Sequence, residues 1–255
     1  MLVLIGLGME TGDISAKATS EITTADYVFA ETYTLPVAHE YLLLIEKESG
    51  KKITMLKRSE MEEESKTLVS KAIASKIAIL VPGDPLIATT HHFLIRTALK
   101  MGIECKVYHA PSIFTIAIGA SGLDIYKFGP TTTIPFWSEK YKPTSFAEVI
   151  CNNSKNKQHT LVLLDVDPKT NKTMSALEAI TYLKAALTAR NLHLPLKQKA
   201  FALCEAGTVN QKIVCGEIDS LKFLDKIKTL EGRTCMIIPS EMSFAELELA
   251  EAFTF

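Results

Sequence analysis

The residue of this chain best placed to do chemistry is a carboxylate held between two prolines. Asp84 stands in the run Val81-Pro82-Gly83-Asp84-Pro85-Leu86-Ile87-Ala88-Thr89-Thr90-His91-His92. Pro82 and Pro85 fix their own φ, Gly83 admits backbone angles that side chains resist, and a residue before proline is driven away from helical geometry. The preceding residues 76–81 are almost wholly apolar and suit a strand buried on both faces. After the turn, Leu86, Phe93, Leu94, Ala98 and Leu99 recur as one face of a helix. Asp84 is therefore expected at the C-terminal end of a strand, where open α/β sheets bind ligands. The same residues allow a plainer role, with Asp84 capping the helix and Pro85 in its first position.

Other constellations are weaker. Gly6-Leu7-Gly8 with Gly12 follows an apolar run, but the spacing is not that of a dinucleotide fingerprint. The acidic residue nearest the ribose position is Glu31, after the apolar residues 27–30, and classical NAD binding is not expected. The glycines let the loop pass close to a neighbouring helix or to a ligand. Ser121 lies in Gly119-Ala120-Ser121-Gly122, which is not a nucleophile elbow and reads as a helix end. The six histidines supply only the His91-His92 pair, pointing to different sides of a helix, so no metal site is expected. No acid–base set stands out for catalysis.

The elements that must position these residues alternate. Strand-like runs at 3–7, 27–30, 52–56, 77–81 and 104–108 are separated by helix-like runs, which implies a largely parallel sheet covered by helices. After a break at 126–131, strands are expected at 132–136, 160–166, 199–203, 212–215 and 235–238, with helices at 145–156, 175–189 and 243–252. Ser59/Glu62, Ser145/Glu148, Ser175/Glu178 and Ser243/Glu246 have the spacing of capping boxes. The fold class is α/β, with two α/β domains meeting at a cleft and divided as 1–128 and 129–255.

Composition limits the partners. The 255 residues can bury a sizeable core, and 28 basic against 29 acidic residues give no field that calls for nucleic acid. Five widely spaced cysteines without a Cys-x-x-Cys favour reduced thiols in a cytoplasmic protein. Cys204, Cys215 and Cys235 stand in apolar surroundings as core residues. The 2–7 run lacks a basic leader and reads as a first strand, and no apolar stretch has the ~20 residues of a membrane helix.

Taken in order, seven segments carry a resemblance: Ile5 to Met9, Gly12-Asp13-Ile14-Ser15, Pro82 to His91, Ala110-Pro111-Ser112-Ile113, Ala120-Ser121-Gly122-Leu123, Ile125-Tyr126-Lys127-Phe128-Gly129, and His159 to Asp165. The chain from Met1 to about Pro239 resembles the diphthine synthase family, methyltransferases of the tetrapyrrole-methylase fold (class III). Gly-Asp-Pro by itself points only to the wider superfamily; the longer strings point to this family. The resemblance implies S-adenosylmethionine as methyl donor, with Met9, Asp84, Ile87, Ser112, Ile113, Leu164, Ala206 and Thr234 at its pocket. It implies, as protein substrate, a histidine of translation elongation factor 2 that already bears an aminocarboxypropyl group. Three methyls on its amine give diphthine, and in one branch a fourth esterifies the carboxylate. It further implies a homodimer.

Methyl transfer from a sulfonium suits a chain without a triad, because the leaving group is already good and alignment alone supplies roughly 7–11 kcal/mol of the barrier. No catalytic side chain is then required if the amine arrives deprotonated. Phe128, Phe136, Trp137 and Tyr141 are available either for cation–π contact with the growing cation or for packing between domains. Two places depart from the family pattern. Glu205-Ala206-Gly207-Thr208 stands where Arg-Ala-Gly-Ser is common, and Thr234 where many members carry histidine. Same-fold methylation of a tetrapyrrole or ribosomal RNA, or a silent cofactor-binding module, are the alternative readings.

Overall fold

The computed structural model describes residues 1–34, 37–167, 170 and 172–254. They fall into two units, Met1–Ile113 and a second beginning at Phe114, each with its own sheet.

In the first unit, strands β1 (Leu2–Gly6), β2 (Tyr27–Glu31), β3 (Ile53–Leu56), β4 (Ile77–Val81) and β5 (Cys105–Tyr108) form a sheet in the order β3-β2-β4-β1-β5. Every pairing is parallel, as the strand–helix alternation requires. Helices α1 (Ala16–Thr23) and α2 (His39–Ser49) cover one face, and α3 (Arg58–Glu62), α4 (Ser65–Ser70) and α5 (His92–Lys100) the other. The pleat divides each central strand between them. Leu2, Leu4, Ile77 and Ile79 pack with Met61, Leu68, Val69 and Leu94, whereas Val3, Ile5, Ala78 and Leu80 pack with Ala18, Ile22, Tyr41 and Ile45. That double covering is why 77–81 is apolar at every position.

The strand order creates a switch point. The chain leaving β1 passes β4 to reach β2, while the chain leaving β4 passes β1 to reach β5. Their loops depart in opposite directions from adjacent strand ends, the place where open sheets leave a crevice for ligands.

The second unit begins within α6 (Ile113–Ser121) and holds β6 (Thr132–Ile134), β7 (Thr160–Leu164), a small β8–β9 hairpin (Val166–Asp167 and Lys172–Thr173), β10 (Lys199–Cys204), β11 (Lys212–Glu217) and β12 (Thr234–Ile238). Its sheet runs β11-β10-β12-β7-β6 and is mixed: β6 and β7 are parallel, the other pairs antiparallel. Helices α7 (Ser145–Lys155), α8 (Ala176–Arg190) and α9 (Leu221–Lys228) bring Phe146, Ile150, Ile180, Leu183 and Phe223 onto Val162, Ala202, Met236 and Ile238. The strand expected at 160–166 is interrupted at Asp165, whose carboxylate accepts from Phe136 N (2.8 Å) and Val166 N (2.9 Å).

Two of the expected capping boxes form. Ser175 Oγ accepts from Glu178 N at 3.2 Å while Glu178 accepts from Ser175 N at 3.0 Å, and Ser243 and Glu246 do the same at the start of α10 (Phe244–Ala252). The other two do not. Ser145 is already inside α7 behind Thr144, and at α3 it is Glu60 that accepts from Lys57 N, at 2.8 Å.

Glu246 does more than cap. It is almost fully buried and accepts from Lys127 Nζ (2.5 Å), Asp124 N (2.9 Å), Ser243 N (2.6 Å) and His159 Nε2 (3.0 Å). His159 Nδ1 accepts from Ser240 N at 2.9 Å, so the imidazole hydrogen sits on Nε2. Burial alone would raise the Glu246 carboxyl, but Lys127 and the other donors hold it well below the ordinary carboxylate range. Burial pushes the His159 imidazole down, against the pull of Glu246. The Ile125–Gly129 and His159 strings thus knit α10 to its own unit.

All five cysteines are free, and Cys151, Cys204, Cys215 and Cys235 are buried. Among the described residues no helix is long and apolar enough to cross a membrane.

Candidate functional site

Three loops converge at the C-terminal edge of the first sheet. The loop after β1 and the Gly-Asp-Pro turn after β4 are bridged by backbone bonds, Gly83 N to Gly8 O at 2.9 Å and Gly8 N to Gly83 O at 3.2 Å. Gly6 is required at this crossing. A Cβ there would lie 2.6 Å from Gly83 O, 2.7 Å from Ala110 Cβ and 3.0 Å from Pro85 Cδ, none of them able to move independently. The close approach that Gly6 permits is therefore to the neighbouring turns. Beyond it, Asp13 Oδ2 accepts from Met9 N (2.7 Å) and Glu10 N (3.1 Å), which shapes the first loop.

Asp84 is 5% exposed and ties the second loop to the third. Its Oδ1 accepts from Leu86 N at 2.9 Å, and its Oδ2 from His109 Nδ1 at 2.8 Å and Ala110 N at 3.3 Å. The capping role is not observed. Helix α5 starts only at His92, behind His91, and Asp84 instead closes a turn on itself two residues on. Between turn and helix the chain is irregular, with Ala88 in the left-handed region at φ 56°. Pro85 O anchors it, accepting from Thr89 Oγ1 (2.7 Å) and from His91 Nδ1 (3.3 Å).

Glu31 and His91, both fully buried, support this turn from beneath. The Glu31 carboxylate accepts from Tyr33 N and Thr34 N, each at 3.1 Å, and from the Thr34 hydroxyl. Burial raises its carboxyl to about 6. Glu31 is thus engaged by its own loop, away from any ribose role. Burial also pushes the His91 imidazole down; a neutral ring donates from Nδ1 to Pro85 O and accepts at Nε2 from Tyr33 Oη at 3.4 Å. His92 is exposed, so the pair does point to different sides.

Five of the sequence-expected donor residues lie at this edge. Met9 is half-buried in the first loop, and Ile87 is 42% exposed beyond the Gly-Asp-Pro turn. Ser112 is buried after β5, and Ile113 opens α6. Asp84 joins them. The other three share one end of the second sheet. Thr234 pairs with Cys204 at the end of β10, Cys235 pairs with Leu163, and Leu164 follows it at the end of β7, while Ala206 lies just past β10.

The departure at Glu205 has a local reason. Its carboxylate meets Arg233 Nη2 at 2.7 Å and Nε at 3.1 Å, and accepts from Arg233 N at 2.6 Å. Burial would raise this carboxyl, but the Arg233 bonds hold it below its ordinary value. Gly232, at φ 125°, leaves the room, since a Cβ there would lie 2.5 Å from Glu205 Oε1. Thr234 Oγ1 donates to Gly232 O at 3.2 Å.

The aromatic residues are engaged within the second unit. Trp137 stacks on Tyr182 at 4.6 Å and donates from Nε1 to Pro143 O at 3.1 Å, and Phe128 meets His159 edge-on at 5.4 Å. Phe136 has Lys172 Nζ 5.0 Å from its ring centre, and Tyr141 is exposed. Ser121, fully buried at the end of α6, donates to Ile118 O at 2.8 Å, which closes the nucleophile reading. His109 was missed in the sequence, where nothing but its place before Ala110-Pro111-Ser112 marks it.

Comparison with known proteins matches residues 1–222 to the family of tetrapyrrole (corrin/porphyrin) methylases. The diphthine synthase of Methanothermobacter thermautotrophicus is 37% identical over 250 residues, covering 97% of this chain and 93% of that protein. That of Methanocaldococcus jannaschii is 36% identical over 253 residues, with 96% of each covered. A crystal structure of diphthine synthase superposes with a TM-score of 0.86 at 29% identity, over 99% of this chain and 95% of that one. With the same fold along its whole length and a Gly-Asp-Pro turn built into the switch point, the chain belongs to the tetrapyrrole methylase family and, within it, to the diphthine synthases, S-adenosylmethionine-dependent methyltransferases of diphthamide biosynthesis.

Proposed function

We propose that the protein methylates the amine of an aminocarboxypropyl-histidine on translation elongation factor 2, in the cytoplasm, drawing each methyl from S-adenosylmethionine without a metal. The observation that carries this reading is the gathering of Met9, Asp84, Ile87, Ser112 and Ile113 at one switch point. Their chemistry fits the donor. Met9, Ile87 and Ile113 offer apolar surface for a purine, and the backbone of the three loops offers donors and acceptors for its polar edges. The resemblance assigns Leu164, Ala206 and Thr234 to donor binding as well. Bound donor supplies an electrophilic methyl; the chain's own task is alignment and exclusion of water.

Adding S-adenosylmethionine at about 100 times its Kd should stabilise the protein by about 2.7 kcal/mol, read as a shift of the urea midpoint. Incubation with elongation factor 2 carrying the aminocarboxypropyl group should then add whole methyl increments by mass spectrometry. Three mark diphthine and four its methyl ester. Unmodified factor should gain none, because imidazole lacks the acceptor amine. Transfer to a tetrapyrrole or ribosomal RNA, with none to the modified factor, would overturn the substrate and leave the donor site standing.

The working form we propose is a homodimer. Ile125, Tyr126, Phe244 and Leu249 are large apolar side chains exposed on the turn and helix that Glu246 joins, and such surface favours a partner. Sedimentation at micromolar concentration should give twice the chain mass; a monomer alone would remove the claim.

A further inference from the structure

Alignment cannot meet one requirement of amine methylation. An aliphatic amine next to a carboxylate is mostly protonated at neutral pH and then has no lone pair to attack with. Each transfer to nitrogen therefore needs one proton removed first, and a side chain that accepts it must reach solvent.

Among the described groups at the edge of the first sheet, most are spent. Asp84 is buried with both oxygens bonded, Asp13 holds two backbone N–H groups, and Glu31 and His91 are sealed beneath the turn. His109 is different. Its imidazole is 65% exposed, yet it is oriented by the buried Asp84 carboxylate at 2.8 Å. A carboxylate can only accept, so the Nδ1 hydrogen points at Asp84 and the Nε2 lone pair is turned outward. Among the described residues Asp84 is the charged group in ion-pair contact with His109, and the adjacent Tyr108 is turned to Glu21 of α1, bonding it at 2.6 Å. The arrangement is that of a general base held by a carboxylate, which fixes its tautomer and orientation. It lies one residue from Ala110-Pro111-Ser112, in the loop expected to hold the donor.

We propose that His109 is the general base for the acceptor amine, with Asp84 as its positioning residue; this rests on the amine substrate proposed above. The ammonium N–H bond breaks and its proton passes to His109 Nε2. The freed lone pair forms the N–C bond as the C–S bond breaks, its electrons remaining on the neutral thioether of the departing donor. The imidazolium returns the proton to solvent before the next methyl.

His109→Asn keeps an N–H facing Asp84 but carries no basic nitrogen, and His109→Ala opens space for free imidazole. With modified elongation factor 2 as substrate, His109→Asn should lower kcat roughly 10²-fold or more at neutral pH. The deficit should shrink as pH rises to where the amine is already free, donor Kd by calorimetry should hold, and added imidazole should restore His109→Ala. A wild-type pH profile in His109→Asn, or a deficit independent of pH without imidazole rescue, would overturn the assignment. Wild-type enzyme that binds donor but leaves the modified factor untouched would overturn it together with the substrate reading, whereas an active wild type separates the two.

Discussion

Replacing Asp84 with alanine is expected to weaken S-adenosylmethionine binding tenfold to a hundredfold and to destabilise the protein by roughly 2–4 kcal/mol. Among the described residues this carboxylate is the acceptor for Leu86 N–H, Ala110 N–H and His109 Nδ1–H. Removing it strands at least two backbone donors in a nearly closed site, at about 1–3 kcal/mol each before relaxation. The affinity loss follows from the same bonds. They hold Leu86-Ile87 against the β5 loop that carries Ser112 and Ile113, so the donor would have to reassemble its own walls. Asp84→Asn should rescue poorly, because its NH2 end cannot accept from both His109 and Ala110. Calorimetric titration with donor and urea unfolding read the two effects separately. A lowered midpoint with wild-type affinity would reduce the turn to a structural device.

The largest stability effect should come from Glu246→Ala, at about 3–5 kcal/mol, since it leaves Lys127 and His159 without their shared carboxylate inside the second unit. Glu246→Gln should recover only part, as it restores shape but not charge. The interaction also sets a pH dependence. The Glu246 carboxyl is held below its unfolded value, near ~4.3, so its contribution is complete above that pH. It is lost progressively as pH falls from there toward the lower folded value. Urea midpoints measured between neutral and pH 3 should therefore drop more steeply for wild type than for Glu246→Gln. Parallel curves would show that the network contributes no pH-linked stability.

Local chemistry made much of the first unit legible. A run apolar at every position, such as 77–81, suits a strand covered on both faces, and the proline-bracketed Asp84 marks a turn after it. The family-specific strings were equally visible, but not what they do. Ile125–Gly129 and His159 are marked in the sequence as strongly as the Gly-Asp-Pro turn, yet they build the buried Glu246 network. Pattern shows that a segment is constrained, and only its contacts show by what.

Residue types and their spacing by themselves determined the main strands of both sheets, the helices that are α5, α7, α8 and α10, and the segments at which the donor site is expected, because these follow from short-range sterics and from the period of burial. They did not decide whether Asp84 caps a helix, which Ser-x-x-Glu pairs close, what Glu205 meets, or that His109 matters. Each of those depends on a partner brought near by strand order: β5 beside β1 places His109 against Asp84, and the start of β12 beside the end of β10 places Arg233 against Glu205. An exposed histidine and a buried one read alike along the chain. Their roles separate only when the sheet order decides which carboxylate each one meets and whether water reaches the other nitrogen.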